Sequence, residues 1–256
     1  MSKPIVTPND WQALRAATPA RLALGRAGAG MPTDETLRFS WAHAMARDAV
    51  HAWLDAEALE LRLREQGWAV EQVHSQATDR ATYLRRPDLG RQLDAEDAAR
   101  LRALHRDVPA PAGICFVIGD GLSALAAERH AVPLLAALRP LLPATLRFTP
   151  VVIARQARVA LADEIAEALG AELVVMLIGE RPGLSSPDGL GLYLTCAPRR
   201  GRRDAERNCI SNVRPEGLPY ADAAFRLSWL IGEALRRGLS GVKLKDESEQ
   251  ASRRLP

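Results

Sequence analysis

The chain has 256 residues, a length that suits one medium domain or one domain with a helical extension. Hydrophobic residues make up 47% and charged residues 25%, while a net charge of +3 and 5% aromatics leave no basic stripe or stacking platform for nucleic acid. No stretch is long and apolar enough to span a bilayer, Met1-Ser2-Lys3-Pro4 lacks the build of a secretory signal, and Cys115, Cys196 and Cys209 form no CxxC pair. The expectation is a cytoplasmic protein without membrane segment, disulfide framework or structural zinc.

The first part of the chain reads as helical. Asp34 is a candidate cap for a helix whose apolar positions include Leu37, Trp41 and Met45, with Trp53 and Leu54 further on. Gly67 to His74 is a candidate short strand. Ala81 to Arg91 is loop-like and rich in arginine, and Asp94 to His105 reads as a second helix. Asp107 to Ala112 carries two prolines and reads as a linker. This divides the chain into a mostly helical, partner-docking region (1–110), a ligand-binding region (111–245) and a charged, frayed tail (246–256).

Past the linker the pattern changes to short apolar runs, the mark of buried parallel strands. Gly113 to Gly119 is the first, and Asp120-Gly121-Leu122-Ser123 turns the chain after it. Ser123 to Leu142 is helical with a break at Pro133. Phe148 to Ile153 is the second run, followed by a helix with Leu161, Ile165, Ala168 and Leu169 on one face and Gly170 at its cap. Leu173 to Ile178 is the third. Strand-helix-strand-helix-strand predicts an α/β fold: a Rossmann-like parallel sheet flanked by helices, preceded by the helical N-terminal region. Gly191 to Cys196 is a candidate fourth strand, and Ala221 to Leu239 a closing helix.

Several familiar chemical motifs are missing. There is no GxGxxG after the first run, no GxxxxGK[ST] loop, and no metal-ligand spacing among His43, His51, His74, His105 and His130; the DxHxxG pattern of one cobalamin class is also missing. What stands out is Glu180, directly after the third run, between Gly179 and Arg181. It is either an exposed turn residue paired with Arg181 or a carboxylate at the ligand crevice of the sheet. Arg155, Arg158 and Val159 follow the second run and belong at the same edge, unless the arginines are solvated and Val159 is core. Cys209 lies in a polar loop with Asn208, Ser211 and Asn212, side chains that fix loops and offer donors and acceptors; the plainer reading is a small buried hydrophobe.

Taken together, several segments resemble the small (light-chain) subunit of ethanolamine ammonia-lyase. They are Ala20-Arg21 through Gly25-Arg26-Ala27-Gly28 with Pro32-Thr33 and Leu37-Arg38-Phe39; Tyr83-Leu84 with Arg86-Pro87-Asp88-Leu89-Gly90-Arg91; Asp120-Gly121-Leu122-Ser123; Gly170-Ala171; Gly179-Glu180-Arg181-Pro182-Gly183-Leu184; and Cys209-Ile210-Ser211-Asn212. Each is weak alone; their order and spacing over roughly residues 10 to 242 carry the match.

The resemblance implies an adenosylcobalamin-dependent lyase that deaminates ethanolamine to acetaldehyde and ammonia by radical chemistry. It implies a hetero-oligomer in which a large TIM-barrel subunit holds ethanolamine and the small subunit covers part of the cobalamin. Carried over residue by residue, the cobalamin contacts fall on Val159, Glu180 and Cys209, and none of them is catalytic in the proton-transfer sense. Some family members carry a longer N-terminal extension implicated in packaging into a bacterial microcompartment; here the family-like region starts close to Met1. Two other readings compete. One is a stand-alone Rossmann-like enzyme on a nucleotide or other phosphate, against which the acid in Asp120-Gly121-Leu122-Ser123 argues. The other is a non-catalytic module whose arginine-rich loops dock a partner.

Overall fold

The structure, a computed structural model, describes residues 5–105 and 113–249. The linker expected at Asp107 to Ala112 therefore lies outside the described residues, as does the tail from 250 onward. Of the tail's first residues, Ser248 is buried and Glu249 is ion-paired with Arg226.

Six strands form one sheet in the order β1-β3-β2-β4-β5-β6. They are β1 (Val70–His74), β2 (Ile114–Gly119), β3 (Val151–Arg155), β4 (Leu173–Gly179), β5 (Leu190–Cys196) and β6 (Arg207–Val213). The first four are parallel, whereas β5 and β6 run antiparallel and close one flank. Strand β1 comes from the N-terminal part and pairs with β3, so that part contributes an edge to the same sheet.

The alternation of a strand sends neighbouring side chains to opposite faces. Phe116 and Ile118 of β2 pack in a core with α2 (Ala56–Glu65), α5 (Ala124–Leu138) and α7 (Tyr220–Arg237). Cys115 and Val117 point the other way, into a second core with α4 (Ala95–His105) and α6 (Leu161–Ala168). The result is three layers with the sheet buried in the middle.

The structure corrects three local expectations. Asp34 is not the cap of α1 (Thr33–His51): Pro32 occupies that position, and Asp34 sits in the first turn near Arg38. The break expected at Pro133 is also absent: α5 runs unbroken through that residue, because Leu134, Leu135 and Leu138 are buried around it. Arginine-rich residues 81–91 are not one loop, since α3 (Arg80–Arg85) and a short 3-10 turn, Leu89–Arg91, occupy most of them. No helix among the described residues is long and apolar enough to cross a membrane.

Candidate functional site

In the chain, β2 leads into α5 on one face of the sheet and β3 leads into α6 on the other. The carboxyl ends of β2 and β4 therefore flank a topological switch point, where open α/β sheets leave a crevice. A cavity of about 400 Å³ lies there. Its walls include Tyr83, Leu122, Arg158, Val159, Glu180 and Tyr193.

The floor is held by the turn after β2. Asp120 is buried and accepts hydrogen bonds from the backbone N–H groups of Gln156 and Ala157, each at 2.9 Å, which tie the end of β2 to the end of β3. Arg80 adds a 3.4 Å contact to the same carboxylate and donates to the Gly121 carbonyl at 2.9 Å. Burial pushes the Asp120 carboxyl up, and the two N–H groups and Arg80 work against that. Asp120 is thus turned inward as a clamp. Gly121 has a φ of 54°, and a Cβ there would lie 2.2 Å from the Gly179 carbonyl oxygen. That space lets Leu122 N–H reach the same oxygen at 2.9 Å.

One wall is an aromatic–cation stack. Tyr83 is fully buried, donates its hydroxyl to the Ala157 carbonyl at 2.9 Å, and lies under the guanidinium groups of Arg158 and Arg80 at 4.2 and 4.7 Å from its ring centroid. Burial raises its phenol well above the ordinary tyrosine range, so it stays protonated. The Arg158 Nε is buried and has no hydrogen-bond partner among the described residues.

Glu180 forms the opposite wall. Its backbone N–H donates to the Gly189 carbonyl at 2.9 Å, closing the loop between β4 and β5. Its Oε2 accepts from the backbone N–H of Asn212 at 3.1 Å, while Oε1 carries no hydrogen bond among the described residues. Two glycines make room for the carboxylate: a Cβ at Gly189 would stand 2.9 Å from Oε2, and one at Gly191 would stand 3.0 Å from Oε1. The alternative of a Glu180–Arg181 ion pair is not found among the described residues, and the carboxylate points over the glycines instead.

Cys209 corrects the sequence reading. It lies on β6, an edge strand, and not in a polar loop. The strand was hidden because its burial does not alternate regularly. Leu190 pairs with Val213 and Leu192 with Ile210, so two residues, Ser211 and Asn212, bulge opposite one. The bulge puts Asn212 at a φ of 58° and aims its N–H at Glu180. Cys209 is exposed, so it is not a buried hydrophobe either.

Val159 and Glu180 therefore line one cavity, and Cys209 adjoins it one strand away, paired in register with Tyr193. Tyr193 was not singled out from the sequence, although a tyrosine interrupting the apolar run Leu190–Cys196 was a visible signal. Burial, the neighbouring Cys209 and the Glu180 charge raise its phenol, keeping it a hydrogen-bond donor. Arg155, expected at the same edge, bonds the Gln72 side chain at 3.0 Å and does not line this cavity.

Comparison with known proteins adds a second line. The family model described as ethanolamine ammonia-lyase light chain matches residues 8–245. The ethanolamine ammonia-lyase small subunit of Azotobacter vinelandii is 58% identical over 246 residues, covering 96% of this chain and 91% of the relative. That of Ralstonia nicotianae is 57% identical over 245 residues, covering 95% and 91%. That of Xanthomonas campestris pv. campestris is 52% identical over 252 residues, covering 98% and 93%.

Proposed function

This chain belongs to the ethanolamine ammonia-lyase light-chain family, and from that premise we propose that it closes an adenosylcobalamin site shared with a large TIM-barrel subunit, in a complex that converts ethanolamine to acetaldehyde and ammonia. The observation that carries the reading is the meeting of Val159 and Glu180, from the segments after β3 and β4, in one switch-point cavity, with Cys209 one strand away.

The residues present fit such a cofactor. A corrin is rimmed by amides, which donate and accept. Glu180 offers Oε1 as an acceptor, held by the Asn212 N–H and given space by Gly189 and Gly191. Tyr193 offers a donor on the same side. A cavity of about 400 Å³ takes only the edge of so large a molecule, which suits a shared site. When bound, adenosylcobalamin supplies the radical chemistry; this chain binds and orients the corrin edge and keeps water from it.

The partner needs a docking surface, and the N-terminal part supplies a candidate. Trp41 and Trp53 are 71% and 70% exposed, and Leu37 and Trp11 are 64% and 68% exposed. Large apolar side chains left in solvent mark an interaction surface, and Trp is favoured at the centre of such surfaces. We assign it to the large subunit. The same reading places the complex in the cytoplasm, free or enclosed in a bacterial microcompartment.

The test is reconstitution. The chain alone, given adenosylcobalamin and ethanolamine, should form no acetaldehyde. Co-expressed with the large subunit, it should restore activity and co-purify with a cobalamin absorption spectrum. Deamination by the chain alone, or a complex that neither binds cobalamin nor needs this chain, would sink the proposal.

A further inference from the structure

Beside the switch-point cavity lies a second one of about 390 Å³, reached across Arg158 and Val159, which line both. It is lined by four arginines, Arg91, Arg158, Arg202 and Arg203, and one carboxylate, Asp204. The loop between β5 and β6 brings Arg202 and Arg203 here by folding over α6: the Arg200 backbone N–H donates to Glu167 at 3.0 Å, and its guanidinium pairs with Glu164 at 3.2 Å. Residues from opposite ends of the sheet thus meet in one basin.

The charges in this basin do not balance. Arg202 is ion-paired with Glu206, and Asp204 is 3.6 Å from Arg207. Arg91, Arg158 and Arg203 have no carboxylate partner among the described residues. The buried Arg158 Nε has no hydrogen-bond partner among the described residues either. Nor do the backbone N–H groups of Val159 and Ala160 find an acceptor among the described residues. Arg158 is nevertheless held firmly. Its stem is wedged beside Gly90, where a Cβ would come within 3.0 Å of the Arg158 Cγ, and its guanidinium is stacked on Tyr83. Bringing three like charges to one rim is unfavourable without an anion, and planar guanidinium groups match phosphate oxygens well.

We propose that this basin binds a phosphodiester. Resting on the function proposed above, the occupant is the phosphodiester of the cofactor's nucleotide arm, with Arg91, Arg158 and Arg203 as its cations, while the Glu180 wall receives the amide rim. The two cavities then divide one ligand by chemistry: neutral amides to a carboxylate and a phenol, the single phosphate charge to arginines.

The test uses the assembled two-subunit complex and absorbance titrations with two corrinoids. Cyanocobalamin carries the nucleotide arm; dicyanocobinamide lacks it and its phosphodiester. Arg91 and Arg203 are exposed, so the double variant Arg91→Gln/Arg203→Gln should fold and assemble normally. It should bind cyanocobalamin at least about tenfold more weakly and dicyanocobinamide within about twofold of wild type. Inorganic phosphate should compete with cyanocobalamin in the wild-type complex and lose that effect in the variant. Equal losses for both corrinoids, or no loss for cyanocobalamin, would overturn the assignment. So would phosphate that binds the basin without competing, since the basin would then serve free phosphate. A wild-type complex that binds neither corrinoid would bring down the proposed function itself, and this inference with it.

Discussion

At the scale of single residues, Glu180 and His130 carry the sharpest expectations. Glu180 contributes one charged acceptor whose geometry is set by a backbone N–H and two glycines. Glu180→Ala in the assembled complex should weaken cobalamin binding about tenfold, the worth of one charge-assisted hydrogen bond. Assembly with the large subunit, followed by sedimentation, should be unaffected; unchanged cofactor affinity would remove Glu180 from the site. His130 is buried against Tyr220 and Asp188, with Arg129 nearby, and its Nδ1 lies 2.7 Å from the Tyr220 hydroxyl. Burial lowers its pKa below the ordinary histidine value of 6.5, with Asp188 opposing the shift. Above that value it is neutral both folded and unfolded. As pH falls through 6.5 the unfolded chain gains a proton that the folded chain refuses, so stability is lost until the folded pKa is passed. The slope in that window is at most about 1.4 kcal/mol per pH unit for one proton. Thermal melts from neutral to mildly acid pH should show Tm falling, and His130→Gln should flatten the fall; parallel profiles would rule His130 out. Which residues shape the cavity was only partly legible at this scale. Glu180 stood out because a carboxylate ended an apolar run, whereas nothing local distinguished Tyr193 or the Asn212 N–H.

At the scale of elements, the apolar runs after residue 113 were legible because parallel strands buried on both faces leave continuous hydrophobic segments. The run Leu173 to Ile178 falls in β4, and the stretch from Leu161 forms α6, which ends at Ala168 with Leu169 as its cap and Gly170 next. Strand β6 was not legible, since it has a bulge and one edge without a partner strand, which leaves Cys209, Ser211 and Asn212 exposed. Besides its ladder to β5 and the buried Ile210 and Val213, an ion pair ties it to α6. Arg207 at its start forms a bidentate pair with Asp163 in the first turn of α6, at 2.7 and 2.8 Å, and also donates to Thr195 at 3.0 Å. Both partners are buried. Asp163→Ala would strand a buried guanidinium and should cost about 3–5 kcal/mol. Denaturant melts measure it, and a loss under about 1 kcal/mol would show that the pair is not what holds β6 to α6. Because the loop before β6 carries Arg202 and Arg203, this pair also positions the arginine basin.

For the whole molecule, the N-terminal part sets the question of assembly. Trp41 and Trp53 expose most of their surface in the isolated chain, so replacing both with Gln should leave its stability within about 0.5 kcal/mol. The same double variant should weaken association with the large subunit at least about tenfold, as read by co-purification and titration. Normal assembly would place the interface elsewhere. The helical periodicity that predicted α1 was right about the element, but Leu37 and Trp41 face solvent and not the core of this chain. A periodic apolar stripe specifies that a face is to be covered; it does not say by what. By itself the sequence determined the α/β class, the run of buried strands, the family resemblance and the position of Glu180 at a strand end, because those depend on local composition and order along the chain. Only the tertiary structure decided that β5 and β6 turn back antiparallel, that Asp120 faces inward as a clamp, that Cys209 stands on an edge strand beside Tyr193, and that arginines from residues 91 to 203 share one basin. Those facts depend on which distant segments come together, and contacts of that kind leave no period in the sequence.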